Sequence, residues 1–345
     1  MQPDVQDLIY FYPEGHQAHH EYGHPERPER VEVLWQALDQ KGWWAPYPKV
    51  SPVDLTLEFL QTVHTRRYLE LLQTACKGGA HLDMDTYTTP ASWQVALDAA
   101  GGAVAVASAV WRGHAHRGFA LTRPPGHHAT ASQGMGFCLV NNVAVAAEYL
   151  IQVEGVKRLA IVDLDLHHGN GTQEIFWQRG DVLYISTHQA PFYPGSGSVE
   201  ETGAGAGRGA TANFPLPAGA GDQAFNEIMD AFILPLLGRY QPEMVLVSFG
   251  FDTHWRDPLG SLLLSADCYR GLIERLAKFC DEGAHGKIAL FLEGGYDLEA
   301  AAVCGQAAVA GLLGLSFEDR LGPAPFSETR YWTVMARRAK EIWNL

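Results

Sequence analysis

Short, almost uninterrupted apolar runs alternate along this chain with longer stretches in which apolar residues return every three or four positions. The runs Leu8–Tyr12, Gly118–Thr122, Leu159–Asp163, Val182–Thr187, Met244–Phe249 and Ile288–Leu292 predict strands buried on both faces, the habit of a parallel sheet. The stretches 30–41, 92–112, 142–153, 222–240, 266–281 and 298–313 predict helices. Strand–helix alternation of this kind argues for a doubly wound α/β fold. No Ser/Gly linker, charge run or internal repeat divides the chain, so residues 1–345 read as one domain. Its core spans about 10–313, and 314–345 form a C-terminal extension. The Gly-rich segment 195–209 reads as a long surface loop.

In a parallel sheet the ligand crevice lies beyond the carboxyl ends of the strands. Four of the strands run straight into polar residues there: Arg123 to His128, Asp163 to Gly171, Asp252 to His254, and Glu293 to Tyr296. In extended chain, residues two apart share a face, which groups Asp163, Asp165 and His167 against Leu164 and Leu166. Carboxylates and an imidazole on one face suit a divalent cation, with Asp252 arriving from another strand end. His127 and His128, fixed behind Pro124-Pro125-Gly126, are candidates for acid–base work. Asp163 and Asn170 are candidate partners for their distal nitrogens. A carboxylate raises its histidine's pKa and a neutral amide does not, so the pair is expected to differ in basicity. Tyr296 follows two glycines and is placed to donate to an oxyanion.

Charge and cysteine usage narrow the class. Lys plus Arg number 25 against 39 Asp plus Glu, a net −14, which argues against a nucleic-acid partner. The 5 cysteines include no C-x-x-C pair, which predicts a reducing, cytoplasmic setting. Met1–Asp7 carries two acids and no base, unlike a signal peptide. The most apolar stretch, 99–111, falls short of the ~20 residues of a membrane span, so no membrane partner is expected.

The segments RPPGHHA (123–129), GFCLVNNVAVAA (136–147), VDLDLHHGNGTQ (162–173), SFGFD (248–252), DPLG (257–260) and EGGYD (293–297), with GHPERPER (23–30) before them, resemble the histone deacetylase superfamily over nearly the whole chain. The resemblance implies the arginase/deacetylase fold, a three-layer α/β/α domain with a parallel sheet of about eight strands. It implies one Zn²⁺ per chain on Asp165, His167 and Asp252, and hydrolysis of an N-acyl amide, usually acetyl-lysine. It assigns His127, paired with Asp163, to electrostatic support, and His128, backed by Asn170, to general base and then acid. Tyr296 polarises the carbonyl. Gly136, Phe137 and Tyr193 line an acyl-lysine tunnel, and Arg30 lies near an acetate-release channel. A structural K⁺ is implied near Asp163, Asp165, His167 and Ser186, with carbonyls of Phe176, Arg179 and Val182. Asn170 makes the chain class II-like, and Leu259 stands where polyamine-selective relatives carry an acid.

Other readings stay open: an acetylpolyamine amidohydrolase with the same site, a two-manganese ureohydrolase, and a non-catalytic acyl-lysine binding module. The partner is an acetylated lysine peptide or a small acylated amine, and a homo-oligomer is compatible with the sequence. Gly203–Gly209 lacks the flanking strand and helix of a nucleotide loop. Asp83 and Asp85 are candidate rim contacts. His16, His19, His20 and His24 read as solvated loop residues, with a second metal site as the alternative.

Overall fold

The computed structural model describes residues 5–345; residues 1–4, the start of the acidic N-terminal stretch, lie outside the described residues. The elements are β1 (Gln6–Phe11), α1 (Glu29–Gln40), α2 (Leu57–Leu60), α3 (Arg66–Gly78), α4 (Ser92–Trp111), β2 (Ala115–Ala120), α5 (Asn142–Gln152), β3 (Leu159–Asp163), α6 (Asn170–Phe176), β4 (Val182–Gln189) and β5 (Thr211–Leu216). They continue with α7 (Asp222–Ile228), α8 (Leu234–Tyr240), β6 (Met244–Phe249), α9 (Ala266–Gly283), β7 (Ile288–Leu292), α10 (Leu298–Leu313) and α11 (Trp332–Trp343).

All pairings are parallel, in the order β1-β2-β7-β6-β3-β4-β5. Successive strand residues feed opposite cores: Leu8, Tyr10, Ala160 and Val162 face one, and Ile9, Phe11, Leu159 and Ile161 the other. That is why the strands are apolar at every position rather than at alternate ones. The first core lies under α1, α7, α9, α10 and α11, the second under α3, α4 and α5, giving three layers.

Among the described residues the sheet has seven strands, close to the eight expected. β5, which the apolar pattern does not mark, reads Thr-Ala-Asn-Phe-Pro-Leu. Pro215 cannot donate to a ladder and is tolerated because β5 is an edge strand. The predicted helix 222–240 divides into α7, a π-helical turn at Met229–Ile233, and α8. Pro235 has no N–H to give, so the regular ladder loosens ahead of it. The extension is not peripheral: Trp332, Ala336, Ala339 and Trp343 of α11 join the first core.

α4, at 20 residues, matches the helix expected over 92–112 and is apolar enough to span a bilayer by composition alone. It is instead an interior helix, with Gly102 against the Phe11 ring and Gly101 against the Val53 backbone.

His64 ties the loop after β2 to the start of α5. Its Nδ1–H donates to the Thr130 carbonyl at 2.9 Å, and its Nε2 accepts the Asn141 N–H at 3.0 Å. Only the neutral ring makes both bonds, and burial lowers its pKa to about 4. The unfolded chain takes up this proton near pH 6.5, before the folded chain does. Stability is therefore complete above that pH, falls as pH drops, and levels off near pH 4. His64 alone is expected to remove about 3 kcal/mol across that window. Urea unfolding at stepped pH measures it, and His64→Gln should flatten the slope by close to one proton.

Candidate metal and acid–base site

β2, β7, β6 and β3 are neighbours in the middle of the sheet, so the four polar strand ends meet in one place. Asp163 is the last residue of β3, and the chain then leaves the sheet. Asp165 and His167 come from that loop, and Asp252 from the turn after β6. Asp165 and Asp252 are fully buried. Asp165 Oδ1 and Asp252 Oδ2 each stand 3.2 Å from the same His167 Nδ1. Asp163, though on the expected strand end, stands outside this trio, its Oδ1 accepting the Asp165 N–H at 3.2 Å. Its Oδ2 takes bonds from His127 Nδ1 and the Tyr184 hydroxyl, both at 3.1 Å.

The donor set fits zinc. Bonds of ~2.0–2.1 Å in a tetrahedral shell put neighbouring donors roughly 3.3 Å apart, close to the spacing here. A single Nδ1–H cannot serve two carboxylates well, whereas a cation between the three atoms satisfies all of them. With no cation present, burial pulls the His167 pKa down, but bonds to Asp165 and Asp252 outweigh it and raise it to about 9. The remaining carboxylate oxygens are held by backbone: Gly294 N–H donates to Asp165 Oδ2 at 2.7 Å, and Leu166 N–H to Asp252 Oδ1 at 2.9 Å.

His127 and His128 pack with ring centroids 4.1 Å apart. Burial opposes charge on His127, but Asp165 and Asp163 prevail and raise its pKa well above the ordinary value. His128 Nδ1 is 2.8 Å from Asn170 Oδ1. An amide oxygen only accepts, so that bond fixes the proton on Nδ1 and leaves the Nε2 lone pair free. Burial first, then the neighbouring His127 and His167, push the His128 pKa well below the ordinary value. The two imidazoles are thus pushed in opposite directions, with Asp163 bonded to one and Asn170 to the other.

Tyr296 borders a pocket of about 250 Å³ with His127, His128 and His167. Gly136, Phe137, Tyr193 and Leu259 line the same pocket, and Asp85 stands among the lining residues. Asp83 does not; it caps its own turn through the Asp85 and Thr86 N–H groups. Gly136 has no room for a side chain, since a Cβ there would strike the His128 ring. Burial raises the Tyr296 pKa well above the usual phenol range, so the hydroxyl keeps its proton and remains a donor.

Arg30 lies behind Tyr296 rather than in the pocket. Its guanidinium carbon is 4.8 Å from the Tyr296 ring centre. It donates to the carbonyls of Gly295 (2.6 Å) and Glu293, and to Glu26 (3.1 Å). Ser186 is buried in the middle of β4 and bonded to His188. Phe176, Arg179 and Val182 bracket the loop from α6 to β4, where the Phe176 carbonyl accepts the Arg179 N–H. His254, beside Asp252 in sequence, turns its Nδ1 to the Arg256 N–H.

The roles of several residues here escape sequence reasoning. Phe192 stacks on the His167 ring, with centroids 5.5 Å apart. Glu293 accepts the N–H groups of Gly126 (2.6 Å) and His127 (3.1 Å), holding the His-His loop from below. Asp257 accepts the Tyr296 N–H at 2.6 Å. The signals were faint: an aromatic beside Tyr193, and acids already inside EGGYD and DPLG. The N-terminal histidines also differ from expectation, because His16 and His19 are buried. His19 bonds Ser92 Oγ at 2.6 Å and stacks on Tyr87, so these two are interior structure rather than solvated loop. The 195–209 segment is likewise partly interior, with Gly197 against His188 and His168.

A histone deacetylase domain model matches residues 24–312. The chain belongs to the histone deacetylase family. It is 41% identical over 280 residues to a probable deacetylase of Archaeoglobus fulgidus, covering 81% of this chain and 78% of that one. It is 38% identical over 295 residues to the histone deacetylase-like amidohydrolase of Pseudomonas aeruginosa, covering 85% and 78%. The crystal structure of the HDA15 HD domain superposes with a TM-score of 0.89 at 33% identity, over 98% of this chain and 94% of the other. A histone deacetylase family fold therefore underlies the site, and the family's deacetylase and amidohydrolase names set its general chemistry.

Proposed function

We propose that this family member is a zinc-dependent amidohydrolase that removes acetyl or related acyl groups from N-acyl-lysine side chains. The observation that carries the reading is the buried trio of Asp165, His167 and Asp252, opening on a narrow pocket beside His128 and Tyr296. Zinc held there would act as a Lewis acid on the acyl carbonyl and acidify a water.

The chain's own groups supply the rest. His128, neutral and with a free Nε2, takes a proton from the attacking water and returns it to the leaving amine. His127, kept charged by Asp163 and Asp165, offsets the negative charge that develops on the acyl oxygen. Tyr296 donates its hydroxyl to that oxygen. Gly136, Phe137, Phe192, Tyr193 and Leu259 enclose the aliphatic stem and exclude water. Arg30 clamps the Glu293–Gly295 backbone and so fixes where Tyr296 points. A structural potassium around Asp163, Ser186, Phe176, Arg179 and Val182 belongs to the same reading.

Rates of zinc-loaded protein on an acetyl-lysine peptide and on acetylputrescine test it. The apolar Leu259 at the pocket favours the peptide. Preference for acetylputrescine would move the reading to a polyamine amidohydrolase, and inactivity on both would overturn it.

Gly294 gives a second test. A Cβ there would lie 2.6 Å from Asp165 Oδ2 and 2.8 Å from Asp252 Cγ, and would push the carboxylates apart. Gly294→Ala is expected to weaken zinc binding by about 10–100-fold, measured by competition with a chelating dye.

A further inference from the structure

A second cavity, of about 500 Å³, shares no lining residue with the pocket above. It opens beside β1, with β2, β7 and β6 between that strand and β3. Four aromatic residues line it: Phe11 at the end of β1, Tyr12 just past it, Trp35 of α1, and Trp44. Tyr12 and Trp35 are 6.3 Å apart at 90°, Tyr12 and Trp44 are 6.2 Å apart at 77°, and Trp35 and Trp44 are 6.5 Å apart at 44°. Rings turned against one another around a shared space form an open box.

The charges at this box are unbalanced. Glu14 and Asp98 both line the cavity, and among the described residues neither has an ion-pair partner; Asp98 receives only a bond from Gln94. Burial raises the Tyr12 pKa, and Glu32 and Glu14 raise it further, so the field at that ring is negative. The chain already places one cation here. Lys49 Nζ sits 4.9 Å from the Trp44 ring centre and donates to the Trp44 carbonyl at 2.6 Å. Lys49 is exposed, and its long stem can swing out to water. Ring faces attract cations through their quadrupole, more strongly when water is excluded. A neutral ligand would fill the space but bring no opposite charge to either carboxylate.

We propose that this cavity binds a small organic cation, an alkylated or quaternary ammonium ion, against Tyr12, Trp35 and Trp44 with Glu14 and Asp98 balancing its charge. Lys49 competes for the same box. The site stands independently of the hydrolase reading.

Calorimetric titration of the full chain with choline, and separately with its uncharged isostere 3,3-dimethyl-1-butanol, tests it. Choline is expected to bind saturably and the alcohol at least about tenfold more weakly. Trp35→Leu should weaken choline about tenfold or more, and Lys49→Ala should strengthen it, with melting temperatures reporting that each variant folds. Equal binding of choline and the alcohol would make this an ordinary apolar pocket and overturn the proposal. So would the absence of saturable heat with choline, or unchanged choline affinity in a folded Glu14→Gln/Asp98→Asn variant.

Discussion

Tyr296→Phe is expected to lower turnover by about 10²–10³ while leaving bound zinc and the fold unchanged. The substitution removes one hydroxyl and nothing else. That hydroxyl has no hydrogen bond to the protein among the described residues, so its loss strands no buried partner. The ring stays in place, because it is held by Arg30 across one side and by Phe137 edge-on at 5.7 Å. The backbone stays too, since Asp257 still accepts the residue-296 N–H. The loss should therefore fall on kcat rather than on KM, because the donor matters most once charge has moved onto the acyl oxygen. Steady-state kinetics with metal analysis of the same sample measure both parts. Normal turnover in the variant would remove Tyr296 from the reaction.

Asp165→Asn is expected to abolish zinc binding and activity together, exceeding the roughly 10–100-fold cost of changing a group that only supports a ligand. One anionic donor of three disappears. There is a second penalty at Asp165 Oδ2, which accepts the buried Gly294 N–H. If the amide nitrogen replaces that oxygen, two donors face each other, at a cost of about 1–3 kcal/mol. Metal content by elemental analysis and the thermal midpoint should both fall. Because Asp252 and His167 remain, high external zinc should restore part of the metal and, by mass action, part of the lost midpoint. Full zinc occupancy in the variant at ordinary concentrations would exclude Asp165 as a ligand.

Much of this was legible because buried parallel strands leave a strong trace. β3, β6 and β7 begin and end where the apolar runs do, and β1, β2 and β4 differ from theirs by a few residues. β5 was not legible, since Asn213 and Pro215 interrupt its pattern and only an edge position tolerates the proline. α3 carried usable signals, Thr65 as a capping residue and Gly79 in a left-handed turn at its end. The burial of His16 and His19 had no local signal. For His19 it depends on Ser92 and Tyr87, and for His16 on Arg123, which donates to its carbonyl, all of which lie far away along the chain.

By itself, the sequence determined which strands end in polar residues, and which residue types stand there: two aspartates and an imidazole for a cation, two histidines with unlike partners, and a tyrosine. Side-chain alternation and apolar runs are local properties, so they can be read locally. The order of strands decided the rest. Only the placement of β2, β7, β6 and β3 side by side brings Asp252 within reach of His167 and turns Asp163 toward His127 instead of the metal position. Phe192 on the pocket wall, Arg30 behind Tyr296 and the aromatic box beside β1 likewise come from segments distant in sequence. Such contacts are set by the packing of whole layers, which no single stretch of chain encodes.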